Sequence, residues 1–207
     1  MLAPLLSGFG QGSLSYQNTG GVGKEKYVFL PDPSYPLVAR NGGTLPDYVG
    51  HSKVEGPGFY AQLWWALGED QPENCLMPVP GSVVTFRTGS TAGLINGKSK
   101  LEIPGTFGGD LVTLQLRVWN NLGGTLNTWE EAKSSNQTFW GLSGRFNYML
   151  SGVARDGTPV VVPGNMSSAM SYFSIPVPEP GLASLLTLGL GGLAWRGRRR
   201  PQAEGQH

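Results

Sequence analysis

Residues 111–120 read Leu-Val-Thr-Leu-Gln-Leu-Arg-Val-Trp-Asn, and the alternation in that run limits the fold more than any other feature of the chain. Val112, Leu114, Leu116 and Val118 fall on one side of a two-residue period, with Thr113, Gln115 and Arg117 on the other. A helix would scatter the four aliphatic residues around its circumference, whereas a strand puts them on one face. The expectation is a strand with its even positions in a core and its odd positions facing out. A second run, residues 59–67, matches it: Phe59, Leu63, Trp65 and Leu67 share a face, and Trp64 points the other way.

The rest of the chain is heavily punctuated. It holds 32 glycines and 16 prolines among 207 residues, so few uninterrupted stretches remain for long helices. Hydrophobic residues at 39% still suffice for a core. Charged residues are only 14%, against roughly 25% in typical soluble domains. Further strand signals lie at 13–18, 26–30, 83–87, 100–103 and 172–175. Asn96-Gly97 reads as a hairpin turn. Asp156-Gly157 reads as a second one, between 153–154 and 160–162. Residues 31–57 show little periodicity and are expected to form a long ordered loop. One short helix fits, with Thr128 capping residues 129–134 and Glu130 and Glu131 in the favoured first turn. The expected fold class is all-β, an antiparallel β-sandwich of jelly-roll or Ig-like type over residues 13–175, with that one helix.

Chemistry is sparse in this domain. Residues 1–180 carry 11 basic and 13 acidic side chains, a net of −2, with no basic stripe for nucleic acid. Gly93-Leu94-Ile95-Asn96-Gly97-Lys98-Ser99 has three residues between its glycines where a phosphate-binding loop has four. Gly20-Gly21-Val22-Gly23-Lys24 lacks the following Ser or Thr, and both segments read as turns. Gly141-Leu142-Ser143-Gly144 is one residue short of a nucleophile elbow. His51 and His207 are the only histidines, so a serine or cysteine nucleophile would depend on His51. Two histidines and one cysteine are too few for an ordinary zinc site. No catalytic residue, metal or cofactor is therefore assigned, and the chain reads as a non-enzyme.

The grouped carboxylates are Glu69, Asp70 and Glu73 in one loop and Glu130 and Glu131 in another. They read as solvated loop charge, with a calcium site or a glycosidase pair as alternatives. Trp64, Trp119, Trp129 and Trp140 are numerous for so small a domain. They suit core packing, and they are also the candidates for stacking on sugar rings. The lone Cys75 excludes an internal disulfide; it is expected to be buried and inert, or else to bridge between chains.

The two ends carry the sharpest signals. Residues 1–12 are apolar and small but lack a basic start, and read as the remnant of a signal peptide or a mobile terminus. Near the other end, Pro178-Glu179-Pro180 precedes residues 181–195, fifteen residues with six leucines and no charge. Arg196, Arg198, Arg199 and Arg200 follow. The prolines hold the backbone extended, and Pro180 suits a helix start. Glu179 is costly to bury in lipid, and the arginines set topology and stop transfer. As a helix the apolar run spans about 22 Å against roughly 30 Å of hydrocarbon, which suits a transient anchor better than a permanent one.

That three-part order closely resembles the PEP-CTERM sorting signal, and it covers residues 176–207. The resemblance implies export by a Gram-negative bacterium and transient inner-membrane anchoring through a single C-terminal hydrophobic helix. It further implies processing near Pro178, Glu179 and Pro180 by an exosortase-type enzyme, then a place at the cell surface or outside the cell. Extracellular polysaccharide is an associated partner. Residues 55–180 also resemble one recurring cargo of that signal, through Gly58-Phe59-Tyr60-Ala61-Gln62-Leu63, Phe86-Arg87-Thr88-Gly89, Ile103-Pro104-Gly105 and Leu116-Arg117-Val118-Trp119-Asn120. That cargo has no assigned activity. The expected function is a non-enzymatic surface or extracellular-matrix protein. A carbohydrate-binding module is the alternative, and a carboxylate-dependent glycoside hydrolase comes third.

Overall fold

The computed structural model describes residues 11–20, 23–31, 34, 40–135, 137–162 and 165–176. In chain order the strands are β1 (Ser13–Tyr16), β2 (Val28–Phe29), β3 (Phe59–Leu67), β4 (Met77–Pro78), β5 (Val84–Thr85) and β6 (Lys98–Glu102). They continue as β7 (Leu111–Asn120), β8 (Trp140–Leu142), β9 (Phe146–Met149), β10 (Gly152–Val153), β11 (Pro159–Val160) and β12 (Phe173–Ser174). The helix α1 (Trp129–Ser135) lies between β7 and β8. Residues 1–10 and 177–207 lie outside the described residues. The signal-peptide expectation, the Pro178-Glu179-Pro180 motif, the 181–195 helix and the arginines after it therefore have no structural account here. Among the described residues no helix is long and apolar enough to cross a membrane.

β3 and β7 pair antiparallel and unbroken, from Phe59 opposite Asn120 to Leu67 opposite Val112. β8 and β9 lie end to end along the far side of β7, and β4 and β5 do the same along β3, making one six-stranded antiparallel sheet. The register places Leu63 opposite Leu116 and Trp65 opposite Leu114, so the two alternating patterns reinforce each other on one face. That face is covered by the pairs β1–β6 and β2–β12. Leu14, Val28, Leu101, Phe173 and Ile175 join Leu63, Leu114 and Leu116 in a single buried cluster. Ile175 closes the domain: a Cβ on Gly141 would sit 2.8 Å from its Cγ2, so the absent side chain at 141 is what admits it.

Four expectations change. Thr113, Gln115 and Arg117 do face away from the main core, but all three are buried. Alternation reports that two faces differ, not that the polar one meets water. The antiparallel expectation fails at β2–β12, which is parallel, with Phe173 opposite Val28. Asn96-Gly97 is not a hairpin, because β5 pairs with β3 while β6 pairs with β1. The dipeptide instead carries the chain from one layer to the other, with Asn96 Nδ2 donating to Thr85 Oγ1 at 2.9 Å and to the Phe86 carbonyl at 3.1 Å. Cys75 is exposed, not buried, because the turn Glu73–Cys75 runs outside the sheet edge and sends its neighbour Leu76 inward.

Within 31–57 the described part includes a 3-10 turn, Leu45–Tyr48, entered through Pro46 and closed by Asp47 accepting from the Thr44 N–H at 2.6 Å. β4, β8 and β9 gave no sequence signal, being two to four residues long. The expected helix is present and Thr128 caps it, its Oγ1 accepting from Glu131 N at 3.2 Å.

Tyr16 is an oddity of the core. Its phenol is fully buried, its oxygen has no hydrogen-bond partner among the described residues, and burial pushes its pKa up. A buried unpaired hydroxyl costs about 1–3 kcal/mol. Tyr16→Phe is therefore expected to unfold at a higher urea concentration, with a gain of about 1 kcal/mol. A loss of stability would mean that the hydroxyl is satisfied.

Candidate functional site

The odd-numbered face of β7 gathers most of the residues that the sequence singled out. Trp64 of β3, Trp119 of β7 and Trp129 of α1 form a second buried cluster with Ala66, Leu76 and Ala132, against which Tyr60, Leu126, Trp140 and Leu142 are partly buried. The rings meet edge to face: Tyr60 on Trp119 at 5.7 Å, Trp119 on Trp129 at 6.4 Å and Trp129 on Trp140 at 5.4 Å. That geometry suits the quadrupoles of packed rings. The Trp119 indole N–H donates to the Leu126 carbonyl at 3.0 Å, and that of Trp64 to Gln62 Oε1 at 3.2 Å.

Stacking on a sugar needs a ring face open to solvent. Trp64, Trp119 and Trp129 are buried, and the cluster is edge-to-face, not coplanar. The four tryptophans named as candidate stacking residues are thus brought together, but as the interior that seats α1 on the sheet. Trp140 is half-buried.

Arg117 is at the centre of this cluster, and sequence reasoning missed it because its strand position read as solvent-facing. Its guanidinium lies 3.6 Å from the Trp64 ring centroid and 5.3 Å from that of Trp129. Its Nε donates to Gln115 Oε1 at 3.1 Å, and Glu73 Oε1 stands 3.7 Å from the terminal nitrogen. Burial pushes the guanidinium pKa down, and the carboxylates of Glu73 and Glu130 oppose that. Two ring faces and a weak ion pair replace the water that a buried cation gives up. The available signal was the crowding of tryptophan around this strand.

The grouped carboxylates are exposed, as expected of loop charge, and Asp70 and Glu131 also fasten their loops. The Asp70 N–H donates to Asn147 Oδ1 at 3.0 Å, and Asn147 Nδ2 returns a bond to Asp70 Oδ1 at 2.9 Å. Gln71 N donates to Thr113 Oγ1 at 2.9 Å, and Arg145 donates to the Gln71 carbonyl. Glu131 accepts from the N–H groups of Asn127 and Thr128 at 2.8 and 3.0 Å, completing a capping box. Among the described residues no three His, Cys, Asp or Glu side chains converge as for a metal ion.

His51 packs edge-on against Phe29 and Tyr48 at 6.1 and 5.4 Å, with Nδ1 3.2 Å from the Leu30 carbonyl. Ser143 is buried in the sheet, where its Oγ accepts from Leu116 N at 2.9 Å and donates to the Gly144 carbonyl at 2.8 Å. The aromatic cluster reaches solvent beside Tyr60, where a shallow cleft of about 430 Å³ is lined by Pro57, Gly58, Tyr60, Asn121, Gly123 and Gly124.

Fold and site together define a β-rich domain, mostly antiparallel, with one helix held over a tryptophan–arginine cluster. No protein-family model, curated protein or solved structure matches the chain.

Removing Arg117 should loosen α1 and the 68–76 loop together. Arg117→Ala is expected to cost about 2–4 kcal/mol through lost stem packing and cation–π contact, with a changed near-ultraviolet tryptophan spectrum. Glu73→Gln is expected to cost less than about 1 kcal/mol, because that carboxylate is half exposed. Equal losses would make the ion pair, not the rings, the principal holder.

The cap of α1 makes a local pH prediction. Hydrogen bonds from Asn127 and then Thr128 hold the Glu131 carboxyl below its ordinary 4.5. A carboxyl depressed by folding stabilises above its unfolded value, and that contribution is lost as pH falls through the folded one. The amide resonances of Asn127 and Thr128 should therefore titrate together with a midpoint below pH 4.5. Glu131→Gln should abolish that step while leaving the helix in place.

Proposed function

We propose that this chain is an exported, non-enzymatic surface or extracellular-matrix protein, delivered and temporarily tethered by its C-terminal segment. The observation that carries this reading is the order of Pro178-Glu179-Pro180, the uncharged run 181–195 and the arginines 196, 198, 199 and 200. Its partners are an exosortase-type processing enzyme and the inner membrane. The position of the motif supports it: Ile175 is the last buried core residue before the prolines, so processing at 178–180 would spare the folded domain. We read that domain as a β-sandwich, with the six-stranded sheet as one layer and the short pairs as the other. The non-enzymatic reading is supported by the engagement of Asp70, Glu73, Glu131 and Ser143 in holding structure.

A second reading, a carbohydrate-binding module for secreted polysaccharide, is favoured by the Tyr60 cleft, where a partly exposed aromatic residue lines a recess. No observation favours the hydrolase.

The test separates recognition from anchoring. Tagged chains are expressed in a host that has the sorting enzyme, and their size and membrane fractionation are followed. Glu179→Ala should block processing while the chain stays membrane-bound. Neutral residues in place of Arg198, Arg199 and Arg200 should instead weaken retention, because the marginal segment loses its stop signal. Equal processing of wild type and Glu179→Ala would overturn the sorting reading. Full-length protein held in the membrane indefinitely would replace it with a plain anchor.

A further inference from the structure

A cleft of about 500 Å³ opens where Gly20 and residues 23–26 pass the turn 165–168. Gly20, Lys24 and Lys26 line one side, and Asn165, Ser167 and Ser168 the other. We propose that this cleft binds a small oxyanion, a phosphate, a sulfate or a carboxylate, free or carried on a larger molecule.

The charge is the first argument. Two lysines line one recess, in a chain whose residues 1–180 are net negative. Neither lysine forms an ion pair with a carboxylate among the described residues. Lys26 rests 4.6 Å from the Tyr172 ring centroid. The neighbouring Glu25 does not line the cleft; its charge adds to burial in raising the phenols of Tyr27 and Tyr172. An oxyanion in the recess would be attracted by both lysine charges.

The opposite wall decides between a charged and a neutral ligand. Asn165 and Ser167 are buried, and their groups are committed to the turn. Ser167 donates to Asn165 Oδ1 through both its N–H, at 3.1 Å, and its hydroxyl, at 2.6 Å. The Ser168 hydroxyl donates to the Asn165 carbonyl at 2.9 Å, and Asn165 Nδ2 donates to the Thr19 carbonyl. Apart from the second amide proton of Asn165, the side-chain protons left for a ligand are those of the two lysines. A neutral polyol would gain little here, whereas an anion gains from both cations.

The glycines build the recess. A Cβ on Gly20 would lie 2.8 Å from Ser167 Oγ and 3.2 Å from Lys24 Cβ, so only glycine lets the two walls approach. Gly23, at φ +78°, makes the left-handed turn that leads into Lys24.

The test is titration of the purified full-length chain with sodium phosphate, sodium sulfate and sodium glucuronate, with glucose as the neutral control, followed by amide resonances. Saturable shifts confined to residues 20–26 and 165–168 are expected with at least one anion and not with glucose. Affinity should fall several-fold as added chloride rises from about 50 to about 300 mM, because exposed charges are screened. The double variant K24Q/K26Q should bind at least tenfold more weakly, with resonances elsewhere unchanged. G20A should also weaken binding, by narrowing the recess. A response to phosphate and sulfate alone assigns a tetrahedral anion, and a response to glucuronate alone assigns a carboxylate. No saturable shift with any of the three, or undiminished binding by K24Q/K26Q, overturns the proposal. The readout uses no membrane or processing enzyme, so it stands or falls separately from the sorting reading.

Discussion

Nine consecutive residue pairs join β3 to β7, and both buried clusters are built on the faces of those two strands. One face is aliphatic and closes under β1, β2, β6 and β12. The other mixes tryptophan with Thr113, Gln115 and Arg117, and it closes under α1 and the 68–76 loop. A two-stranded ribbon alone is marginal in water. With both faces buried, the pair becomes the interior of the domain, and the short strands need contribute little hydrogen bonding of their own. This explains how a domain can stand on so many strands of two residues.

Arg117 shows what burial on the second face demands. A guanidinium with its side chain 7% exposed needs replacements for water, and two indole faces, Gln115 and Glu73 supply them. The same cation then links three separate pieces of chain: the sheet, the helix carrying Trp129 and the loop carrying Glu73. The tryptophans thus contribute to stability through enclosure, and the solvent-facing chemistry of the domain moves to its margins, at the Tyr60 and Lys24–Lys26 clefts. The edges are managed as well. β6 presents exposed Lys98, Ser99 and Lys100 along the sheet margin, charges that discourage pairing with another chain.

The last described residues are tied to the core by contacts of the same kind. The chain leaves the core at Ile175, which fills the space above Gly141, and Pro176 begins the exit. β12, the last strand among the described residues, is held by parallel pairing to β2, and the buried Ile175 follows it.

The sequence by itself determined the extents of β3 and β7, the aliphatic face they share, the helix with its Thr128 cap and the three-part order of the tail. All of these are local: period, capping pair and motif are written in neighbouring residues. Tertiary structure alone decided what covers the odd face of β7, and so turned Arg117 from a solvent-facing residue into a buried one and made Trp64, Trp119 and Trp129 core, the first of the two readings open to them. It also decided the parallel meeting of β2 with β12, the outward turn at Cys75 and the approach of Gly20 to Ser167. Each of these joins segments distant in sequence, and no local periodicity records which distant segment will cover a given face. The same polar alternation serves a strand facing water and a strand roofed by a helix; only the packing of the roof distinguishes them.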